Sequence, residues 1–252
     1  MTQLPSIEAV DLTLRLPIHG WTAPKSLKSN VALGVGGRRE KDKRGRMHIV
    51  VLDKLAFQIN PGDRIGFVGR NGAGKSTLLK TLAGIYRPTS GSVKINGNIS
   101  ALFSKSLGFN SDATGMENIL LYNTLMGIPK AEQESLVPEI ADFSELGDFL
   151  YMPLRTYSAG MTMRLGFALS TAVKADILLI DEVFGAGDRH FQLKAQQRIE
   201  RTMSESNTMV MASHSDQVIS QFCNKALWLH GGCIRAFGPT DDVLKEYNDS
   251  ED

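Results

Sequence analysis

Gly69-Arg70-Asn71-Gly72-Ala73-Gly74-Lys75-Ser76-Thr77 fits G-x-x-x-x-G-K-[ST], the spacing of a phosphate-binding loop. The residue types follow from the ligand. A triphosphate needs a concave ring of backbone N–H donors, and Gly72 and Gly74 let the backbone bend toward the phosphates with no Cβ in the way. A helix starting near Lys75 aims its N-terminal dipole at the anion. Lys75 is placed to reach the β- and γ-phosphates, Ser76 to ligate Mg2+ and Thr77 to donate to the α-phosphate. The flanks agree with the motif. Arg64-Ile65-Gly66-Phe67-Val68 reads as a short apolar strand, and Leu78-Leu79-Lys80-Thr81-Leu82-Ala83-Gly84 has helical spacing with a glycine stop.

Downstream, Ile177-Leu178-Leu179-Ile180 is a fully apolar run that ends in Asp181-Glu182. It reads as a buried strand of a parallel sheet, in which ligands sit at the carboxyl ends of the strands. Asp181 would arrive beside the metal ion, and Glu182 would polarise an attacking water. Helical spacing over 189–205, a strand over 208–212 and a helix over 215–222 continue the alternation of β and α that makes a parallel sheet. Ser158, before a helical stretch from Thr162 to Val173, reads as that helix's N-cap.

Upstream, residues 6–16 read as a strand. Residues 17–46 interrupt it, with Pro17, Pro24, Gly34, Gly36 and Gly37 among them, and 38–46 carries six basic residues against two acidic. This reads as a solvated, partly disordered insertion; its basic run could also face a partner or anionic head groups. Strand character returns at Ile49–Leu52 and Leu55–Ile59, with Asn60-Pro61-Gly62-Asp63 as the turn into the loop strand. Residues 91–103 suggest a hairpin. Residues 112–157 turn helical, punctuated by Pro129, Pro138 and Gly147.

The chain has 252 residues, 42% apolar and 22% charged, with a net charge of +1. That bounds it to one large domain with room for a subdomain, and argues against a general nucleic-acid binder. No apolar run approaches the roughly 18 residues of a membrane span, and no secretory signal opens the chain. Cys223 and Cys233 have no metal spacing and read as reduced packing residues.

With Tyr157-Ser158-Ala159-Gly160-Met161 about twenty residues before Asp181-Glu182, the chain resembles the ATP-binding-cassette (ABC) family of ATPases. Ser158 and Gly160 match that family's signature L-S-G-G-Q, whereas Tyr157, Ala159 and Met161 depart from it. The resemblance implies a P-loop core with a mixed sheet, an antiparallel β subdomain and an inserted helical subdomain at about 104–157, all in one nucleotide-binding domain spanning 1–252. It further implies that Ser158, Ala159 and Gly160 bind the γ-phosphate held by a second subunit, that Asp188 is the acid of the loop after Glu182, and that His214 contacts the γ-phosphate. The family's glutamine after the strand near residue 103 falls in Leu102-Phe103-Ser104-Lys105-Ser106, with Ser104 nearest its place, and His48 lies nearest the place of the adenine-stacking aromatic.

Within the family the resemblance is strongest to ATPases that export O-antigen, capsule and teichoic acids. The carrying residues are the phosphate loop, Thr114-Gly115-Met116-Glu117-Asn118, Thr156 to Met161, and Asp181-Glu182-Val183 through Gly187-Asp188. The implied protein is a homodimer around two Mg-ATP at the cytoplasmic face of the plasma membrane. It would be peripheral there, bound to an integral-membrane permease dimer that moves a lipid-linked polysaccharide. Ending at Asp252, the chain is expected to lack the C-terminal carbohydrate-binding domain of some members. The rival expectations are an exporter ATPase for a drug, lipid or peptide, and a soluble ABC ATPase of nucleic-acid metabolism. The latter usually adds a second cassette, coiled coil or zinc module, for which this sequence shows no signal.

Overall fold

The computed structural model describes residues 4–18, 37–41, 46–103, 108–181 and 189–250. They fall into two compact units, Met1–Gly97 with Asn207–Asp252, and Asn98–Ser206.

The first unit holds two sheets. In the antiparallel one, β1 (Ile7–Pro17) lies between β3 (Met47–Ile59) and β5 (Ser90–Ile95), and β2 (Arg38–Lys41) flanks β3. β1 is bulged, with Asp11 at φ 48 between register shifts. In the other sheet, β4 (Arg64–Val68) is paired in parallel on both sides, with β8 (Thr208–Ala212) and β9 (Lys225–His230); β10 (Cys233–Pro239) runs antiparallel to β9. β8 is buried at every position and β4 at four of five, as expected of apolar strands covered on both faces. Helix α1 (Lys75–Leu82) follows β4, α6 (Asp216–Phe222) follows β8, and α7 (Thr240–Asp249) follows β10.

In the second unit β6 (Ile99–Phe103) pairs in parallel with the wholly buried β7 (Ile177–Asp181). The helices are α2 (Gly115–Leu125), α3 (Lys130–Ser144), α4 (Ala159–Ala172) and α5 (Arg189–Glu205), with single 3-10 turns at Gly147–Tyr151 and Leu154–Thr156. A capping box starts α2: the Thr114 hydroxyl accepts from the Glu117 N–H at 3.1 Å, and the Glu117 carboxylate accepts from the Thr114 N–H at 2.8 Å. Along α5, Phe191, Ile199 and Met203 are buried, and Ala195 between them packs against the core, a stripe at every fourth residue.

Two expectations need correction, and two others gain detail. Residues 91–103 are not a hairpin: β5 joins β1, and β6 joins β7. Asn96-Gly97 looks like a tight turn, but backbone partners on either side decide the pairing. The Asn96 N–H donates to the Ser6 carbonyl at 2.9 Å, and the Asn98 N–H to the Asp176 carboxylate at 3.0 Å. Pro138, one of the punctuating residues, lies inside α3. It is exposed, so the carbonyl one turn earlier that loses its partner can turn to water. The far end of the 17–46 segment is ordered as β2, where Arg38 meets Glu40 at 2.7 Å and Asp53 at 3.3 Å, and Arg15 meets Glu40 at 3.2 Å; residues 19–36 and 42–45 lie outside the described residues. Of the two cysteines only Cys223 is a packing residue, its thiol pushed up to about 12 by burial, whereas Cys233 is exposed.

Candidate functional site

The phosphate loop leaves the carboxyl end of β4, and α1 starts from Gly74, which takes φ 109. α1 has no side-chain cap and no acidic residue in its first turn, whereas α2 carries a capping box and Glu117 there. The first turn of α1 therefore carries no carboxylate of its own to compete with an anion for the helix dipole. Lys75 is 6% exposed, and its ammonium donates to the Gly69 carbonyl at 2.5 Å and the Arg70 carbonyl at 3.4 Å. A buried cation aimed back into its own loop, at a helix start, is the arrangement that a phosphate ligand completes. Arg70, Asn71, Gly72 and Ser76 are exposed, Thr77 is half-buried, and Ala73 is buried with its N–H on the Arg70 carbonyl at 3.1 Å.

The loop is braced from behind by a feature for which the sequence reading has no expectation. The Gly232 N–H, in the turn between β9 and β10, donates to the Ala73 carbonyl at 3.2 Å, and the Asp53 N–H on β3 donates to the Gly232 carbonyl at 2.9 Å. Gly69 packs so closely that a Cβ there would sit 2.2 Å from the Leu229 carbonyl oxygen. The signal was present in Gly231-Gly232 between two apolar runs, a hairpin pattern.

His214 lies exposed just beyond β8 in the Ser213-His214-Ser215 turn, where the Ser215 N–H donates to the Ser213 hydroxyl at 3.1 Å and the Ser215 hydroxyl caps α6. Phe67 of β4 is in register with Ala212 of the parallel β8. The phosphate loop and His214 therefore leave neighbouring strands at the same end. His48 is half-buried at the start of β3, its Nδ1 3.1 Å from the Arg46 carbonyl.

In the second unit, Asp181 is the last residue of β7, 8% exposed and in register with Phe103 of β6. Glu182, Asp188 and Ser104 lie outside the described residues. Ser158 caps α4, accepting from the Met161 N–H at 3.2 Å. Ser158, Ala159 and Gly160 are all exposed, and a Cβ on Gly160 would meet only the Ser158 hydroxyl, at 3.8 Å. Neither packing nor a positive φ calls for glycine there. With no acid in the first turn of α4, a serine hydroxyl, a smooth surface and a helix N-terminus together form an open anion-facing end.

Tyr157, which replaces the family's leucine, has a structural partner. Its hydroxyl donates to the Phe149 carbonyl at 2.6 Å, and a Cβ on Gly115 would lie 2.3 Å from that hydroxyl. Tyr157 and Gly115 thus specify each other. Gly115→Ala is expected to destabilise the protein by about 1–3 kcal/mol. Chemical denaturation should show a smaller loss in a Tyr157→Phe background, a coupling of about 0.5–3 kcal/mol; equal losses would mean that the strain is taken up elsewhere, at Leu150.

The comparisons with known proteins bear on this geometry. Residues 52–185 match the family described as ABC transporter. The O-antigen export system ATP-binding protein RfbE of Yersinia enterocolitica is 41% identical over 224 residues, covering 89% of this chain and 94% of that protein. RfbB of Myxococcus xanthus, of the same description, is also 41% identical, and the teichoic acids export ATP-binding protein TagH of Bacillus anthracis is 40% identical. The matched stretch spans only 51% and 38% of those longer proteins. Among solved structures, an ATP binding subunit of an ABC transporter superposes with a TM-score of 0.68 at 21% identity, over 96% of this chain and 93% of that one. A dimeric ATP-binding cassette in a post-hydrolysis state bound to ADP and Pi gives 0.66 at 18% identity, over 93% and 98%. These two establish the fold. With the phosphate loop at β4–α1, the buried Asp181 closing β7 and a family match that runs through both, the chain belongs to the ABC transporter family.

Proposed function

We propose that this chain is the ATP-hydrolysing subunit of a polysaccharide exporter, working as a homodimer that closes around two Mg-ATP and drives a membrane permease. The observation that carries the chemistry is Lys75, buried where β4 meets α1, at the same strand end as His214. The cargo rests on the relation to the O-antigen protein, which extends over nearly the whole of both chains.

In this reading the loop Gly69–Thr77 wraps the phosphates with backbone N–H groups, and Lys75 exchanges its carbonyl partners for phosphate oxygens. The Ser76 hydroxyl and the Asp181 carboxylate hold Mg2+; both are hard oxygen donors of the kind that ion takes. When bound, the ion neutralises charge developing on the phosphates. Glu182 orients and polarises the water, His214 contacts the γ-phosphate, and Asp188 is the acid of the nucleotide-binding loop after Glu182. The partner's Ser158, Ala159 and Gly160 cover the γ-phosphate, so neither subunit completes a site alone. Positioning and electrostatics supply the rate, with little covalent chemistry.

No helix among the described residues is long and apolar enough to cross a membrane. The proposed place, which rests on the relation to export ATP-binding proteins, is peripheral, at the cytoplasmic face of the plasma membrane, reached through the permease. The domain plan is a single nucleotide-binding domain with an insertion at 17–46 and a helical subdomain at about 104–157. Light scattering after size-exclusion chromatography tests the assembly. Glu182→Gln should run as a dimer in ATP with Mg2+ and as a monomer without nucleotide, and a monomer under both conditions would contradict the closed-dimer mechanism.

A further inference from the structure

We propose that Glu145 is a positioning residue that locks α4, the helix opened by Ser158 and Gly160, to the start of α5, the helix that leaves the 182–188 segment, so that the two move as one piece.

α3 ends at Ser144, and Glu145 then takes φ 56 and ψ 32, the left-handed region in which glycine or asparagine usually follows a helix. A residue with a long side chain is strained there. What its carboxylate meets gives a reason for keeping it. Lys194 Nζ donates to it at 2.8 Å, Arg164 Nη1 lies at 3.4 Å, and His190 Nδ1 at 3.9 Å. Lys194 holds the Glu145 carboxyl below its usual range, with smaller contributions from His190 and Arg164.

His190 and Lys194 are four residues apart on α5 and share a face. Arg164 comes from α4, six residues beyond Ser158, and its guanidinium stands 5.0 Å over the Phe191 ring. Phe191 is buried edge-on against Phe143 and Phe167, at 5.7 and 6.0 Å between ring centres. The Lys194 ammonium also reaches the Asp142 and Phe143 carbonyls in the last turn of α3, at 3.4 and 3.3 Å. Three helices thus meet at one carboxylate. Glu145 is 33% exposed and His190 is 79% exposed, so solvent screens these pairs and each adds little to stability. What the cluster supplies is geometry.

The inference rests on the reading in which two subunits share two ATP molecules. In that reading a chain's Glu182 and Asp188 serve its own nucleotide, while its Ser158 and Gly160 serve the partner's. Glu145 then stands between a chain's contribution to one ATP and its contribution to the other, and loosening it should uncouple the two sites. The pair of Glu139 with Arg198 is an internal control. It also joins α3 to α5, but Arg198 donates to the Thr171 carbonyl at 3.0 Å, at the end of α4 remote from Ser158.

The test is steady-state ATPase against ATP concentration for the full chain carrying Glu145→Gln, Glu145→Asp, Lys194→Met or Glu139→Gln. Glu145→Gln and Lys194→Met should lower kcat by about fivefold or more and move the Hill coefficient toward one, the scale of a typical coupling between sites. Binding of ATP to the monomer should not change. Glu145→Asp, which keeps the charge, should recover part of the loss, and Glu139→Gln should behave as wild type. Three results would overturn the proposal: wild-type kcat and Hill coefficient in Glu145→Gln, an equal loss in Glu139→Gln, or a wild type with no cooperativity to transmit. A wild type that hydrolyses no ATP would instead refute the proposed function.

Discussion

Glu182→Gln is expected to lower kcat for ATP hydrolysis by about 10²–10⁴-fold, the range that a positioned general base contributes. The amide keeps the shape of the side chain and can still hold a water, but it cannot accept the water's proton. ATP binding should survive, because the proposed mechanism draws its phosphate contacts from Gly69–Thr77 rather than from Glu182. Phosphate release at saturating ATP measures the loss, and nucleotide binding measured in parallel separates it from misfolding. A variant with wild-type turnover would remove Glu182 from the chemistry and leave the β7 end without its catalytic carboxylate.

Lys75→Ala is expected to weaken ATP binding by about 10²-fold or more, since truncating one partner of a buried charge pair costs about 2–5 kcal/mol. The size follows from burial. Lys75 is 6% exposed and its ammonium is held by carbonyls, so little solvation would be lost on exchanging the Gly69 and Arg70 carbonyls for phosphate oxygens. The nucleotide-free fold should tolerate the change, because the Gly232 N–H on the Ala73 carbonyl holds the loop independently of Lys75. Titration with a fluorescent ATP analogue checks the affinity, and thermal unfolding without nucleotide checks the fold. Unchanged affinity would contradict the assignment of the loop.

The local structure around the candidate site was legible where one short stretch of sequence specifies both the motif and its element. The order β4, loop, α1 followed from Gly69–Thr77 and its flanks, and the Ser158 cap, the buried β7 and the span Arg189–Glu205 of α5 followed from local pattern. Contacts between segments distant in sequence were not legible. Asn96-Gly97 carries a turn signal, but whether its flanking strands pair with each other is decided by Ser6 and Asp176, far along the chain. The insertion's charge suggested solvation, yet Arg38 and Glu40 find Asp53 and Arg15 once β2 lies beside β3. The Glu145 cluster left no trace at all, because surface acids and bases follow no period that betrays a three-helix junction. Tyr157 could be seen to depart from the family's signature, but its reason lies in Gly115, more than forty residues earlier.

The most direct test of the exporter assignment is the surface glycan profile of cells whose only copy of this chain carries Glu182→Gln, compared with wild type at equal abundance. The account predicts that one long-chain surface polysaccharide disappears while its lipid-linked precursor accumulates inside the cell. An unchanged glycan profile with ATPase abolished would keep the ATP chemistry and contradict the assignment to polysaccharide export.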